Sequence, residues 1–478
     1  MKPHDDSSNS LKVPCPAVGE AERGGAVGPG ELFPLPLVPF ERYMLADDRR
    51  GYPMTFFVRV EFAGTPDQTA LDAAFAEALG RHPLLTSRIA RRGLRWHWVP
   101  ADGPPLQLQW HTSPSEPAWP IALPIDLRRG AGIRAHVHAF AGRCSLVVSF
   151  HHAACDGIGA FRFIGDLLAC YGRRTAPADA LPALLPIRPV NLRHRGQFDL
   201  RGSEPVSRWV AFQSAIRESC KVLGRRPQRL LNSQRPPADA RRGGPRLPVE
   251  HLSSEIYRRF CARAEALGVT GNDLLLRDMF LAICEWNELH AKGRSRGWLR
   301  ITMPTSLRGK RDAGMPATNS LGYALVTRHT EECGDPDQLL AAIAADTRAV
   351  RKWSLGAMFV DSLSAVGRVP GLLWLATRLG RRFSTLVLSN LGDVGRRFRA
   401  RFPHCDGEIV AGNLTLKSVV GAPPIRPGTR AAVAVANGSD GLSLTLNYDP
   451  RWFSSQDASD FLARYVTRLK RSAEASGD

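Results

Sequence analysis

The stretch Ser149–Phe161, "SFHHAACDGIGAF", sets two imidazoles side by side at the end of an apolar run, with a carboxylate just beyond them. Near neutral pH an imidazole can take a proton from a hydroxyl, thiol or amine, so His151 or His152 is a candidate general base. Successive side chains of a strand point to opposite faces, so both rings cannot enter one cavity if the strand runs through them. One can meet a substrate while the other holds structure. Asp156 can orient an imidazole directly, or fix the turn by pairing with an arginine. Ala153, Ala154 and Cys155 are small enough for a tight turn, and Gly157 and Gly159 permit close approach by a ligand. A helix starting there would offer free N–H groups to developing negative charge.

Other chemistries compete for the same residues. His136 and His138 lie two apart on a preceding strand and, with one of the pair and Asp156, would make a metal ligand set. Against it, one histidine of the pair would be wasted. Cys155 could be a nucleophile, but a small buried thiol is the plainer reading. For any single histidine the ordinary reading is a satisfied core residue.

The elements that must position the motif follow from periodicity. Alternation in "FFVRVEFAG" argues a strand, and Leu71, Phe75 and Leu79 mark a helix from Asp67 to Gly80. "AGIRAHVHAFAGRCSLVVSFHH" reads as a hairpin turning at Ala141–Arg143, whose continuously apolar second strand is covered on both faces. "FRFIGDLLACY" returns to helical spacing. A helix is expected near Trp209–Leu223, and the Pro- and Arg-rich run after it reads as exposed linker. Two helices broken at Gly268 follow, with Thr270 and Asp273 capping the second. "WLRITMPTSLRG", "STLVLSNLG" and "RAAVAVANGSDGLSLTLNYD" supply strands, and "SSQDASDFLARYVTRLK" closes the chain as a helix.

The chain has 478 residues, 44% of them hydrophobic, enough for two packed domains. The expected division is a disordered tail over 1–30, a first lobe over 31–190, a basic linker over 191–250 and a second lobe over 251–478. With 64 Lys and Arg against 45 Asp and Glu, the net charge is +19. That charge fits a phosphate-bearing small molecule or carrier, nucleic acid, or simply Arg-rich codon usage, and without RNP motifs, zinc-finger spacing or basic repeats nucleic acid ranks last. The nine cysteines form no CxxC pair and read as reduced thiols of a cytoplasmic protein. No signal-like N-terminus stands out, and no run reaches the ~20 apolar residues of a membrane span. "GLLWLATRLG" is too short, carries Arg378, and reads as a core-facing or peripheral helix.

"HHAACDG" resembles the HHxxxDG motif of the chloramphenicol-acetyltransferase-like, CoA-dependent acyltransferase superfamily. That group includes nonribosomal peptide condensation domains, wax ester synthase/diacylglycerol acyltransferases and polyketide-associated acyltransferases. "RHPLL", "PIDLRRGAGIRAHV", "MPTSLRG", "ATNSLGYALV" and "LVLSNLGDV" resemble further family segments in the same order. The resemblance implies an α/β fold of two chloramphenicol-acetyltransferase-like lobes, a pseudo-dimer with a central tunnel. It implies His152 as base and Asp156 as the second candidate catalytic residue, a carboxylate that fixes geometry by pairing with Arg308. His151, Gly157 and Arg308 become structural members of the motif, with Gly157 offering backbone near the oxyanion. Ser389 and Asn390 become tunnel-lining or oxyanion residues. No metal or resident cofactor is implied. An acyl-CoA or phosphopantetheine-linked thioester would be co-substrate.

The plant-type DFGWG motif is absent. "YMLADDRRGYPMTFFVRVEF" is similar to the opening of wax ester synthase/diacylglycerol acyltransferases, which favours O-acylation of an alcohol by an acyl-CoA. The alternatives are a condensation-type enzyme that uses a carrier-protein-bound donor or forms an amide, and a non-catalytic binding module of the same fold. Peripheral membrane contact stays open for a lipid substrate.

Overall fold

The computed structural model describes residues 29–112, 124–198, 224–234, 247–293, 295–379, 382–393, 398–438 and 440–475. The expected tail (all but its last two residues) and the helix expected near Trp209–Leu223 lie outside them.

The first half runs α1 (Pro29–Leu32), β1 (Leu35–Pro36), α2 (Pro39–Asp47), β2 (Thr55–Ala63), α3 (Gln68–Arg81), β3 (Ser87–Arg92), β4 (Arg95–Pro100), β5 (Gln109–Thr112), β6 (Ile133–Phe140), β7 (Arg143–His151) and α4 (Gly157–Thr175). Asp67 caps α3 by accepting from Ala70 N, and the helix ends within a residue of its expected stop at Gly80. Positive φ at Ala141 (44°) and Gly142 (73°) makes the tight β6–β7 turn. β7 lies between β2 and β6, with Thr55 opposite His151 and Ile133 opposite Phe150. Its apolar run is buried on both faces, as expected of continuous apolarity. On one side Phe150 meets Phe163 of α4 at 6.1 Å, and Phe163 meets Phe75 of α3 at 6.0 Å. On the other, Val147 packs with Phe57, Leu247 and Ala422. Truncating such a buried Phe costs about 3–5 kcal/mol.

The second half runs β8 (Val249–Ser253), α5 (Ser254–Ala266), α6 (Gly271–His290), β9 (Trp298–Ser306), β10 (Leu321–His329), α7 (Pro336–Lys352), α8 (Leu355–Val366), α9 (Leu372–Arg378), β11 (Leu386–Asp393), β12 (His404–Cys405), β13 (Glu408–Ala411), β14 (Leu414–Ala422), β15 (Ala431–Asn437), β16 (Gly441–Tyr448) and α10 (Ser455–Glu474). Gly268, at φ +65°, separates α5 from α6, and Thr270 and Asp273 form a reciprocal capping box. A six-stranded sheet, β10-β9-β11-β15-β16-β8, carries the second core. β11 runs parallel to both its neighbours. Trp286, Phe453, Phe461 and Tyr465 lie in that core.

The two lobes exchange chain. β12–β14 come from the second half yet complete the first lobe's seven-stranded sheet, β12-β13-β14-β2-β7-β6-β5. β14 pairs antiparallel with β2, with a bulge between Leu416 and Ser418. A division at residue 251 does not mark this crossing, because local periodicity says nothing about which sheet a strand joins.

One expectation changes. Cys284 and Cys333 are bonded as a disulfide between α6 and the segment after β10, so these two thiols are not free. Their separation of 49 residues left no pattern to read. "GLLWLATRLG" folds in part as α9, a peripheral helix with no fully buried residue, whose Leu373 packs on the first-lobe core.

Candidate functional site

The motif occupies the end of β7, a three-residue turn and the start of α4. His152 N donates to Met54 O at 2.7 Å, while Ala154 N and Cys155 N both donate back to His151 O. The turn is tight because its residues are small. A Cβ on Gly132 would come within 2.7 Å of the Ala154 Cβ, and one on Gly159 within 2.9 Å of Thr318 O.

The two rings separate, as alternation requires. His151 is buried. Its Nδ1 accepts from Ala153 N at 3.1 Å, and its Nε2 stands 3.6 Å from Asp48 Oδ2. Burial raises the Asp48 carboxyl, but His151 and the Met54 amide outweigh it and hold the pKa below the ordinary value. His151 therefore ties the turn to the segment before β2.

His152 is only partly covered and lines a cavity of about 500 Å³. The Phe56 ring packs against it at 4.9 Å. Asn319 Nδ2 donates to the His152 carbonyl at 2.6 Å and lies 3.1 Å from Nδ1. Asn319 Oδ1 accepts from Leu321 N at 3.1 Å, which fixes the amide's orientation. Burial lowers the His152 pKa, partly opposed by the carbonyls of His152 and Cys155 and by the Asp156 charge. The ring is thus neutral at physiological pH. Nε2 carries the lone pair only with the proton on Nδ1, directed at those carbonyls; Asn319 Nδ2 then donates to the His152 carbonyl and not to Nδ1, since two N–H groups cannot bond each other.

Asp156 does not touch His152. It is completely buried and caps α4 through Gly159 N at 2.8 Å. Arg308 grips both its oxygens, at 2.7 and 2.9 Å, and Ser320 N donates at 2.8 Å. Burial opposes the Arg308 charge, yet Asp156 outweighs it and raises that pKa. One carboxylate thereby joins α4, the loop after β9 and the start of β10. Its oxygens bond Arg308, Gly159 N and Ser320 N rather than the His152 ring, and the pairing with Arg308 is present.

Gly157 and Ile158 open α4 at the cavity wall. Their first-turn amides have no intrahelical acceptor, so they offer N–H beside His152. A Cβ on Gly157 would come within 2.9 Å of Leu391 Cδ2, so the glycine admits the second lobe's β11 against the first lobe. Ser389 and Asn390 line the same cavity from β11. Asn390 is committed to local structure: its Nδ2 donates to Asn272 Oδ1 at 3.2 Å and its Oδ1 accepts from Gly392 N at 2.9 Å.

The remaining candidates lie elsewhere. Burial pushes the Cys155 thiol far above its usual pKa, so it is no thiolate nucleophile. His136 and His138 stack against His111 of β5, at 5.4 and 4.7 Å, and so face one another rather than the motif. Burial, then His111 and His136, lower His138 to about 4. Among the described residues no group of three or more His, Cys, Asp and Glu is arranged to hold a metal ion. A second, open cleft of about 510 Å³ lies between α6 and α10, where Glu285 pairs with Arg464 and Arg468, and it contains none of the motif.

Asn319, Phe56 and Asp48 are not named by the sequence reading, though Asn319 stands within "ATNSLG" and Asp48 within the acidic stretch before "PM" in "YMLADDRRGYPM".

No family model matches the sequence. An uncharacterized protein of Mycobacterium tuberculosis is 24% identical over 388 residues, covering 75% of this chain and 83% of its own. Similar solved structures include a trichothecene 15-O-acetyltransferase from Fusarium sporotrichioides, at TM-score 0.66 and 12% identity, covering 98% of this chain and 100% of that one. The first condensation domain of the calcium-dependent antibiotic synthetase has TM-score 0.63 and 14% identity, covering 93% and 97%. A nonribosomal peptide synthetase, FmoA3, matches at TM-score 0.65 and 16% identity; this chain spans 46% of its length and is itself 95% covered. The fold is that of the two-lobed condensation domains and chloramphenicol-acetyltransferase-like enzymes. Among the described residues, no helix is long and apolar enough to cross a membrane.

Proposed function

We propose that this chain transfers an acyl group from an acyl-CoA thioester to an alcohol, with His152 as general base. The observation that carries the reading is the cavity's ionisable inventory among the described residues. Its lining holds His152, Tyr323, Arg351 and Arg426, with no carboxylate and no cysteine. Burial raises Tyr323, and arginine does not deprotonate. Only His152 can exchange a proton near neutrality.

His152 Nε2 takes the hydroxyl proton as the alcohol oxygen bonds to the thioester carbon. The carbonyl becomes a tetrahedral oxyanion, opposed by the Gly157 and Ile158 amides and the α4 dipole. Collapse breaks the C–S bond, and the departing thiolate takes the proton back from His152. The products are an ester and a free thiol, and no acyl-enzyme forms. Holding both substrates in one cavity supplies a further part of the rate. Arg351 and the net charge of +19 suit a donor that carries phosphates, whereas Arg426 is already paired with Asp47.

The likeness to a condensation domain supports a second reading, a carrier-bound thioester donor or an amine acceptor, with the same base. The test is mass spectrometry after incubation with a panel of acyl-CoAs and pantetheine thioesters, each with alcohols and amines. Ester from acyl-CoA is the expected product. Amide, or activity only with pantetheine-linked donors, would replace it with the second reading. No transfer at all would leave a binding module.

A further inference from the structure

Val369, Leu372, Trp374, Leu375 and Leu379 are 54, 38, 54, 46 and 64% exposed. All five lie on α9 or its flanks. Leu373 turns inward and packs on the first-lobe core. Exposed apolar side chains are ordinarily scattered singly, and a contiguous group marks an interface.

The surrounding charge decides the partner. From Ser362 to Gly392 the chain has no acid and four arginines, Arg368, Arg378, Arg381 and Arg382. The Arg378 guanidinium lies 5.0 Å from the Trp374 ring centre. Arg42 of α2 donates to Gly367 O at the end of α8, at 3.4 Å, and Arg49, just past α2, donates to Thr377 O of α9, so cations stand at the edge of α9. Two copies of this chain meeting here would bring like charges together. An anionic lipid surface has the complementary chemistry: acyl chains for Trp374, Leu375 and Leu379, and phosphates for the arginines.

We propose that α9 is a docking helix for an anionic lipid surface, lying in the interface with its apolar side chains below the headgroups. The cavity lies one helix deeper. Phe359 of α8 meets Tyr323 at 5.4 Å and Phe383 at 6.1 Å, and both of those rings line the cavity. The site proposed for acyl transfer is thereby held close to the membrane plane. Docking stands apart from that reading, since the test requires no turnover.

The full chain is sedimented with large unilamellar vesicles of phosphatidylcholine, alone or mixed with phosphatidylglycerol. Binding to the mixed vesicles is expected at least ~tenfold stronger than to phosphatidylcholine alone, and weaker as salt rises. Trp374→Ser/Leu375→Ser and, separately, Arg368→Gln/Arg378→Gln should each reduce it at least ~tenfold while the thermal melt stays unchanged. If the serine pair fails to fold, the arginine pair, which alters only exposed groups, carries the test. No binding by the wild type, equal binding to both vesicle types, or wild-type binding by the folded variants would overturn the proposal. So would sedimentation equilibrium without lipid showing a dimer that Trp374→Ser/Leu375→Ser dissolves, since the surface would then belong to a second copy.

Discussion

Replacing Asp156 with asparagine keeps the side chain's volume and removes its charge. Four hydrogen bonds converge on that carboxylate: two from Arg308, at 2.7 and 2.9 Å, and one each from Gly159 N and Ser320 N, both at 2.8 Å. In Asp156→Asn one oxygen becomes an NH2 that faces donors, and the Arg308 guanidinium is left without its counter-charge. Breaking one side of a buried ion pair costs about 3–5 kcal/mol. The remaining amide oxygen still accepts one bond, and Arg308 still donates to Thr318 O at 2.8 Å, so about 3 kcal/mol is expected. The assay is equilibrium urea unfolding followed by tryptophan fluorescence, on Asp156→Asn, Arg308→Met and the double variant. Removing both charges should recover part of the loss, with a coupling of at least about 2 kcal/mol that persists at high salt. Turnover by folded Asp156→Asn should fall less than turnover by His152→Ala, because the carboxylate acts through position. A loss of stability under about 1 kcal/mol with no coupling would refute the structural assignment. Turnover as low as that of His152→Ala in a fully stable protein would refute it too, and make the carboxylate catalytic.

Other consequences follow from the same geometry. Because burial lowers the His152 pKa and only the neutral ring can accept a proton, kcat/KM should fall on an acid limb with its midpoint below the ~6.5 of free imidazole; a stopped-flow thiol-release profile centred above that value would contradict it. Asn319→Asp should move that limb to higher pH, since an added carboxylate favours the imidazolium, with the shift read from the same profile. Gly159→Ala should destabilise by at least about 1 kcal/mol in thermal melts, because its Cβ meets the Thr318 backbone at 2.9 Å. Burial raises the Asp166 carboxyl, but His82, Arg81 and Arg401 outweigh it and bring the pKa to about 2. Its folded value lies below the unfolded ~3.9, so its contribution is present above that pH and is lost as pH falls toward about 2. Acid unfolding of Asp166→Asn should lack that part of the pH dependence.

Sequence periodicity identified the elements around the motif because each had a strong local cause. Asp67 and Thr270 stand where helices need caps, Gly142 and Gly268 where the backbone needs positive φ, and the apolar run of β7 where a strand is covered twice. The separation of His151 from His152 followed from alternation alone. Long-range choices were illegible. Nothing local in Leu414–Ala422 says that it joins β2 of the other lobe, and nothing near Cys284 points to Cys333. Asn319 was hidden because its hydrogen bond to the His152 carbonyl, on the other lobe, exists only once the lobes are packed. α9 was left between two readings because its apolar spacing is the same whether it faces a core or solvent, and only its surroundings tell them apart.

In the proposed acyl transfer, Nε2 of His152 moves the proton. Once the panel identifies a productive acyl-CoA and acceptor, single-turnover transfer should be compared in wild type and in His152→Ala of equal thermal stability. A loss of about 10²–10⁴-fold with substrate binding retained is the expected result. Transfer at the wild-type rate by the alanine variant would rule out His152 as the base.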